Sequence, residues 1–189
     1  MPPKSKFTRE EVISAATEIT AEQGLSAVTA RELGIRLGSS SRPVFTLFKN
    51  MEEVWNEVIK RAYEIYDKYI QEGLADKIPF RGTGMAYIKF ANENPRLFRL
   101  LFMEERPETA SFTPYFADPH GSEIEKLVSE RYNISLEKAK ILYSHLTTYC
   151  HGLAVYCCSG LCNLSYDNLA ELLSEAFESF MMKIQNNSD

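Results

Sequence analysis

Two threonines near the start of the chain each stand three places ahead of a glutamate, with apolar residues flanking the pair. In Phe7-Thr8-Arg9-Glu10-Glu11-Val12, the Thr8 hydroxyl can accept from the amide of residue 11 while Glu11 reaches back to that of residue 8. Phe7 can then staple onto Val12. Val28-Thr29-Ala30-Arg31-Glu32-Leu33 repeats the design, and Asn50-Met51-Glu52-Glu53 is a looser version. Gly24 and Gly38 stand where a glycine just past a helix would end the first two segments. These signals predict helices near 8–23, 29–37, 41–48 and 51–72. The second and third are too short to persist alone in water. They must be held against the first through Val12, Ala16, Ile19, Leu33, Leu37, Val44 and Phe48. Three helices with a tight link between the last two make a minimal helix-turn-helix.

The remainder keeps the helical period, and no strand-like alternation persists. The fourth segment, MEEVWNEVIKRAYEIYDKYI, shows two interleaved apolar faces, with Gly73 and Pro79 read as its end. Helices are expected at about 82–94 and 95–103, then a looser stretch at 104–118 with Pro107, Phe112, Pro114, Tyr115 and Phe116. Further helices are expected near 120–132, 136–160 and 166–185, the last two capped by Ser135 and Ser165. The expected class is all-α, with about nine helices.

Composition sets the outer limits. With 189 residues, 44% hydrophobic and 25% charged, the chain has globular rather than disordered makeup. Its apolar runs fall short of the ~18 residues of a membrane span, and MPPKSKFTREE lacks a signal peptide's apolar core. A cytoplasmic protein is expected. The net charge of −5 argues at first against nucleic acid, but residues 1–49 hold seven Lys/Arg against five Glu. A weakly basic head on an acidic body permits phosphate contact without requiring it.

The segment LGSSSRPVFTLFKN, residues 37–50, carries the chemistry. A helix lying in a DNA major groove needs small polar groups at its start, one or two cations, and an apolar underside. Ser39, Ser40 and Ser41 supply hydroxyls. Arg42 can bond guanine or phosphate, Thr46 follows one turn later, and Lys49 is a point charge for the backbone. Val44, Leu47 and Phe48 are expected to face inward. A solvated corner between helices would explain the same serines and arginine, so composition leaves both readings open.

The run FTREEVISAATEITAEQGLSAVT followed by TARELGIRLGSSSRPVFTLFKNMEEV resembles the DNA-binding head of the TetR family of bacterial repressors, over roughly residues 7–55. The resemblance rests on the helix ending in Glu-Gln-Gly, on Thr29-Ala-Arg-Glu-Leu, on the Leu37-Gly38 turn, and on an aromatic third helix running into Phe48-Lys49-Asn50-Met51-Glu52-Glu53. It implies a helix-turn-helix DNA-binding domain at 1–50 and a helical ligand-binding and dimerisation domain at 51–189. It further implies DNA contacts from Thr29, Arg31, Ser40, Ser41, Arg42, Pro43, Phe45, Thr46 and Lys49. For Arg31, a surface ion pair with Glu32 or a neighbour is the competing role. The sequence departs from the family where Gly-Thr becomes Arg42-Pro43 and a Tyr-His-Tyr-Phe-like run becomes Phe45-Thr46-Leu47-Phe48. Pro43 is harmless in a first turn, but Phe45 and Leu47 cannot give phosphate the hydroxyl bonds of tyrosines. Lys4 and Lys6 on the N-terminal arm are the available replacements.

For the body, the resemblance implies a homodimer formed by the last two helices, a palindromic double-stranded DNA operator, and release by a small apolar or aromatic effector. Leu169, Leu172, Leu173, Ala176, Phe177 and Phe180 form an apolar stripe. Gly152, Ala154, Ser159 and Gly160 are small enough for close approach. The expected dimer residues are Gly152, Tyr156, Leu169, Leu173, Ala176 and Phe180, with a purely intramolecular core as the alternative. The expected effector wall is Tyr87, Phe90, Ala91, Phe98, Leu101, Phe102 and Met103, with Tyr149 opposite and 104–118 as lid. Large aromatics most often simply fill cores, so packing competes at each position.

Cys150, Cys157, Cys158 and Cys162, with His145 and His151 nearby, raise a thiol- or metal-sensing alternative. Standard ligand spacing is absent, free cysteines are commonly buried, and a cytoplasmic chain keeps thiols reduced. Nucleophile-elbow, P-loop, zincin and dinucleotide patterns are missing as well. Gly82-Thr83-Gly84 reads as a lone helix-start feature. No enzyme, catalytic residue, metal or cofactor is therefore expected. A helical interaction protein that has lost DNA reading, suggested by Phe45 and Leu47, is the alternative from another class.

Overall fold

A computed structural model describes residues 7–104, 120–162 and 164–186. The arm lysines Lys4 and Lys6 and nearly all of the expected 104–118 lid lie outside the described residues. Nine α-helices occur among the described residues: α1 Arg9–Gln23, α2 Ala30–Arg36, α3 Arg42–Leu47, α4 Met51–Leu74, α5 Pro79–Glu93, α6 Pro95–Phe102, α7 Gly121–Tyr132, α8 Leu136–Cys158 and α9 Tyr166–Asn186. A single 3-10 turn at Leu25–Ala27 joins α1 to the strand-free approach to α2. The all-α expectation holds. Among the described residues, no helix is long and apolar enough to cross a membrane.

Local chemistry sets most boundaries. Thr8 forms the full capping box: its hydroxyl accepts from the Glu11 amide at 3.2 Å, and Glu11 accepts from the Thr8 amide at 2.7 Å. Thr29 accepts from the Glu32 amide, Ser135 from Lys138, and Ser165 from Asn168. Asn50 accepts from the Glu53 amide at 2.9 Å, opening α4. Each such bond satisfies a helix-end amide that would otherwise be orphaned.

α4 ends at Leu74, close to the expected 72, with Gly73 buried in its last turn, and Pro79, read as part of that end, opens α5. A Cβ on Gly73 would stand 2.6 Å from the Gly82 carbonyl oxygen. These glycines let two helices cross backbone to backbone, so Gly82 is a packing residue as well.

The helices gather into two compact units. One takes in the described residues up to Ile65 together with Asn94–Glu104, which is more than residues 1–50; the other takes in Tyr66–Glu93 and the described residues from His120 onward. The first buries Val12, Ala16, Ile19, Val28, Leu33, Val44 and Phe48, each no more than 2% exposed. In the second, Ile124, Val128, Ala139, Leu142, Tyr143, Leu146, Met181 and Ile184 form a continuous apolar cluster across α7, α8 and α9.

The first unit also carries carboxylates whose pKa values lie below the ordinary 4.5. Glu11 is lowered by the Thr8 amide and hydroxyl, Glu22 by Arg36, and Glu53 by the Lys49 amide and then Arg9. A carboxylate with a depressed folded-state pKa gives stability that is present above its unfolded value and lost as pH falls through the folded one. Melting temperature is therefore expected to fall as the pH is taken below about 4.5, with Glu53→Gln removing part of that slope. A pH titration of thermal unfolding checks this; a flat profile from pH ~5 to ~3 would contradict it.

Candidate nucleic-acid interface

The turn between α2 and α3 is built on two glycines. Gly38, with φ +62°, donates to the Ile35 carbonyl at 3.0 Å, and Ser39 donates to the Gly34 carbonyl at 2.8 Å. Gly34 is buried in α2, and a Cβ there would sit 2.9–3.0 Å from the backbone of Ser39, Ser40 and Ser41. The serine run lies directly on this glycine. Gly34→Ala is expected to push α3 off α2 and cost about 1–3 kcal/mol, as overpacking does. Duplex binding should fall with it. Unfolding curves paired with binding titrations measure both, and an unchanged Gly34→Ala variant would contradict the close approach.

The underside of α3 is fixed by Val44 and Phe48, 1% and 2% exposed; Leu47 is half-buried. Arg9 secures the far end of α3. Its guanidinium donates to the Leu47 carbonyl at 2.6 Å, pairs with Glu53 at 2.9 Å, and lies 4.1 Å from the centroid of the Phe48 ring. Arg36 is likewise occupied, with Glu22 at 3.0 Å and Glu18 at 3.5 Å. Two of the head's positive charges thus hold the fold rather than face outward.

The outward side is different. Arg42, Phe45 and Thr46 are exposed at the three- and four-residue spacing of one face of α3, and Lys49 is exposed just past its end, beyond the extended Phe48. Ser40, Thr29 and Arg31 are exposed beside them, and Ser41 and Pro43 are half-buried. Among the described residues, the side chains of Arg31, Arg42 and Lys49 have no hydrogen-bond or ion-pair partner. The Thr46 hydroxyl donates to the Pro43 carbonyl at 2.7 Å, leaving its lone pairs free to accept. Ile35, 61% exposed, joins Phe45, 52% exposed, in putting apolar surface on this unit. Sequence reasoning missed Ile35 because a mid-helix isoleucine normally signals core.

The expected effector residues are divided. Phe98, Leu101 and Phe102 belong to the first unit, and Phe98 meets Phe102 with ring centroids 5.4 Å apart. Tyr87, Phe90 and Tyr149 belong to the second. Phe90 is wholly buried between Tyr66 and Tyr69, each 5.4 Å away, and the Tyr87 hydroxyl lies 2.9 Å from His151 Nδ1. Burial depresses the His151 pKa. Within the second unit, one hollow of about 380 Å3 is bordered by Met85, Lys89, Cys157 and Tyr166, and another of about 230 Å3 by Phe80, Arg81, Cys150 and Phe177.

Burial pushes the Cys150 thiol up to about 12 and raises Cys157 as well. A thiol so far above neutral pH is a poor nucleophile and ligand. All four cysteines are free, and no group of three or more His, Cys, Asp or Glu among the described residues could hold a metal ion.

On α9 the expected dimer stripe is largely used within the chain. Leu169 and Leu173 are 8% and 5% exposed, and Leu173 Cδ1 would lie 3.4 Å from a Cβ on Gly84 of α5. Ala176 and Phe180 pack on the α7–α9 cluster, with Phe180 stacked on His145 at 4.9 Å. Leu173 thus packs toward α5 within the chain, and Leu169 is buried beside it. Tyr156, 56% exposed, and Gly152, with open space beside it, do face outward.

No family model matches the sequence, and no curated protein matches it. Among solved structures the chain is similar to a transcriptional regulator from Rhodococcus sp. Rha1, with a TM-score of 0.60 and 15% identity over 94% of this chain and 97% of that one. At that identity the likeness shows the fold.

Proposed function

We propose that the chain is a DNA-binding transcriptional regulator of the TetR type, acting as a homodimer on a palindromic operator and released by a small apolar or aromatic effector. The observation that carries the reading is the exposed face of α3. Arg42, Phe45 and Thr46 line up on it and Lys49 is exposed two residues past its end, while Val44 and Phe48 anchor the opposite side. Arg31 of α2, Arg42 of α3 and Lys49 just past it, none with a hydrogen-bond or ion-pair partner, suit phosphate and guanine, and the apolar surface of Phe45 and Ile35 suits the thymine methyl. The fold shared with a regulator supports the class. The α4 helix, whose residues are divided between the two units, offers the covalent path by which an occupied second unit would alter the spacing of two heads.

Gel shift against the DNA upstream of the chain's own coding region tests this. One duplex is expected to be retained in preference to scrambled DNA of equal length, with affinity falling steeply as salt rises because phosphate contacts release counterions. Equal, salt-insensitive retention of every duplex would overturn it.

The exposure of Ile35 and Phe45 also favours a second reading, a head that contacts protein. Such contact would survive high salt, whereas operator binding would not.

A further inference from the structure

Two exposed threonines of the first unit hold their hydroxyl protons in opposite ways. Thr29, the cap of α2, accepts from the Glu32 amide at 3.1 Å, and its proton has no acceptor among the described residues. Thr46, on α3, donates to the Pro43 carbonyl at 2.7 Å. Among the described residues nothing donates to Thr46 in turn. A hydroxyl has one proton and two lone pairs, so Thr29 is left as a donor and Thr46 as an acceptor alone.

That polarity sorts what each can meet on a duplex. Phosphate oxygens carry no proton and only accept, which suits Thr29 and excludes Thr46. In the major groove, guanine N7 and O6, adenine N7 and thymine O4 are acceptors as well. The donors there are the amines, N6 of adenine and N4 of cytosine. Turning the Thr46 hydroxyl toward an acceptor would exchange its bond to the Pro43 carbonyl for another neutral one, with no net gain. Thr46 stands four residues after Arg42 on the exposed face of α3. Four residues of α-helix rise about 6 Å, close to two base steps of ~3.4 Å.

We propose that Thr46 is a base-reading residue that takes the exocyclic amine of one adenine or cytosine in each half-site and has no part in holding phosphate. The inference rests on the reading of α3 as the helix that enters the groove. It gives that helix a second reading group, about two base pairs from the one that Arg42 meets when the helix lies along the groove.

Duplexes selected by the full-length chain supply the substrate for the test. Each adenine of the half-site is replaced in turn by purine, which lacks the N6 amine, or by 7-deazaadenine, which lacks N7. Each cytosine is replaced by 2-pyrimidinone, which lacks the N4 amine. Affinities are measured for wild type, Thr46→Val and Thr46→Ser. Removal of one amine should weaken wild type and Thr46→Ser by about three- to tenfold more than it weakens Thr46→Val, the loss of one neutral hydrogen bond. The pairing bond lost from the duplex is common to all three proteins, so the cycle isolates the contact. Loss of N7 should weaken wild type and Thr46→Val alike. The proposal is overturned if no amine depends on Thr46 in this way, or if an N7 does. Thr46→Ala replaces Thr46→Val should the latter not fold. A selected duplex that Arg42→Ala no longer prefers, with no amine coupled to Thr46, removes this inference and keeps the regulator. Failure to select any duplex removes both.

Discussion

Arg42→Ala is expected to lower affinity for the preferred duplex by roughly 10- to 100-fold, from the ~1–3 kcal/mol that a bidentate arginine–guanine pair contributes to discrimination. The side chain is exposed and has no partner among the described residues, so its removal leaves the fold intact, with unfolding free energy within ~0.5 kcal/mol of wild type. Specificity should relax together with affinity. Lys49→Ala, at a residue proposed to meet the DNA backbone, should instead weaken all duplexes alike and make the salt slope shallower by about one counterion. Binding titrations at several salt concentrations, on the preferred and a scrambled duplex, separate these effects. An Arg42→Ala variant that binds both duplexes as wild type does would remove α3 as the reading helix.

Phe48→Ala is expected to act by the opposite route, through stability. Phe48 is 2% exposed, packs under α3 with Val44, and lies beneath the Arg9 guanidinium. Truncating a buried phenylalanine costs about 3–5 kcal/mol, a large part of the 5–15 kcal/mol that holds an ordinary domain. The six-residue α3 cannot persist without this anchor. Urea unfolding should show the loss, and duplex binding should vanish with it although no DNA-facing group has changed. Phe48→Leu, which keeps most of the volume, should cost far less and retain binding. An Ala variant within 1 kcal/mol of wild type would mean that Val44 alone holds the helix.

These two variants mark what could and could not be read from the sequence. Caps are local, so Thr8, Thr29, Asn50, Ser135 and Ser165 announced their helices, and each makes the expected bond. The outward spacing of Arg42 and Thr46 was legible for the same reason: helical period needs no knowledge of partners; Lys49, expected to close the helix, lies past its end at Leu47. Contacts between residues distant in sequence were not. Arg9 reads as a head charge, yet its partners lie 38 and 44 residues away, at Leu47 and Glu53. Gly73 reads as a stop and Gly82 as part of a helix start, because a glycine's value here, as at Gly34, lies in which backbone comes close. An apolar stripe on α9 does not name its partner: Leu173 meets Gly84 of α5, while Phe180 stacks on His145 of α8.

The central claim is that two heads, each presenting the α3 face, read a symmetric duplex. Selection of bound duplexes from a random pool by the full-length chain tests it most directly. The account predicts an enriched, two-fold symmetric sequence whose half-sites lie one helical turn of about 10 bp, or a multiple of it, apart, with enrichment lost in Arg42→Ala. A pool that emerges without any enriched sequence, or with one that Arg42→Ala recovers equally well, would contradict it.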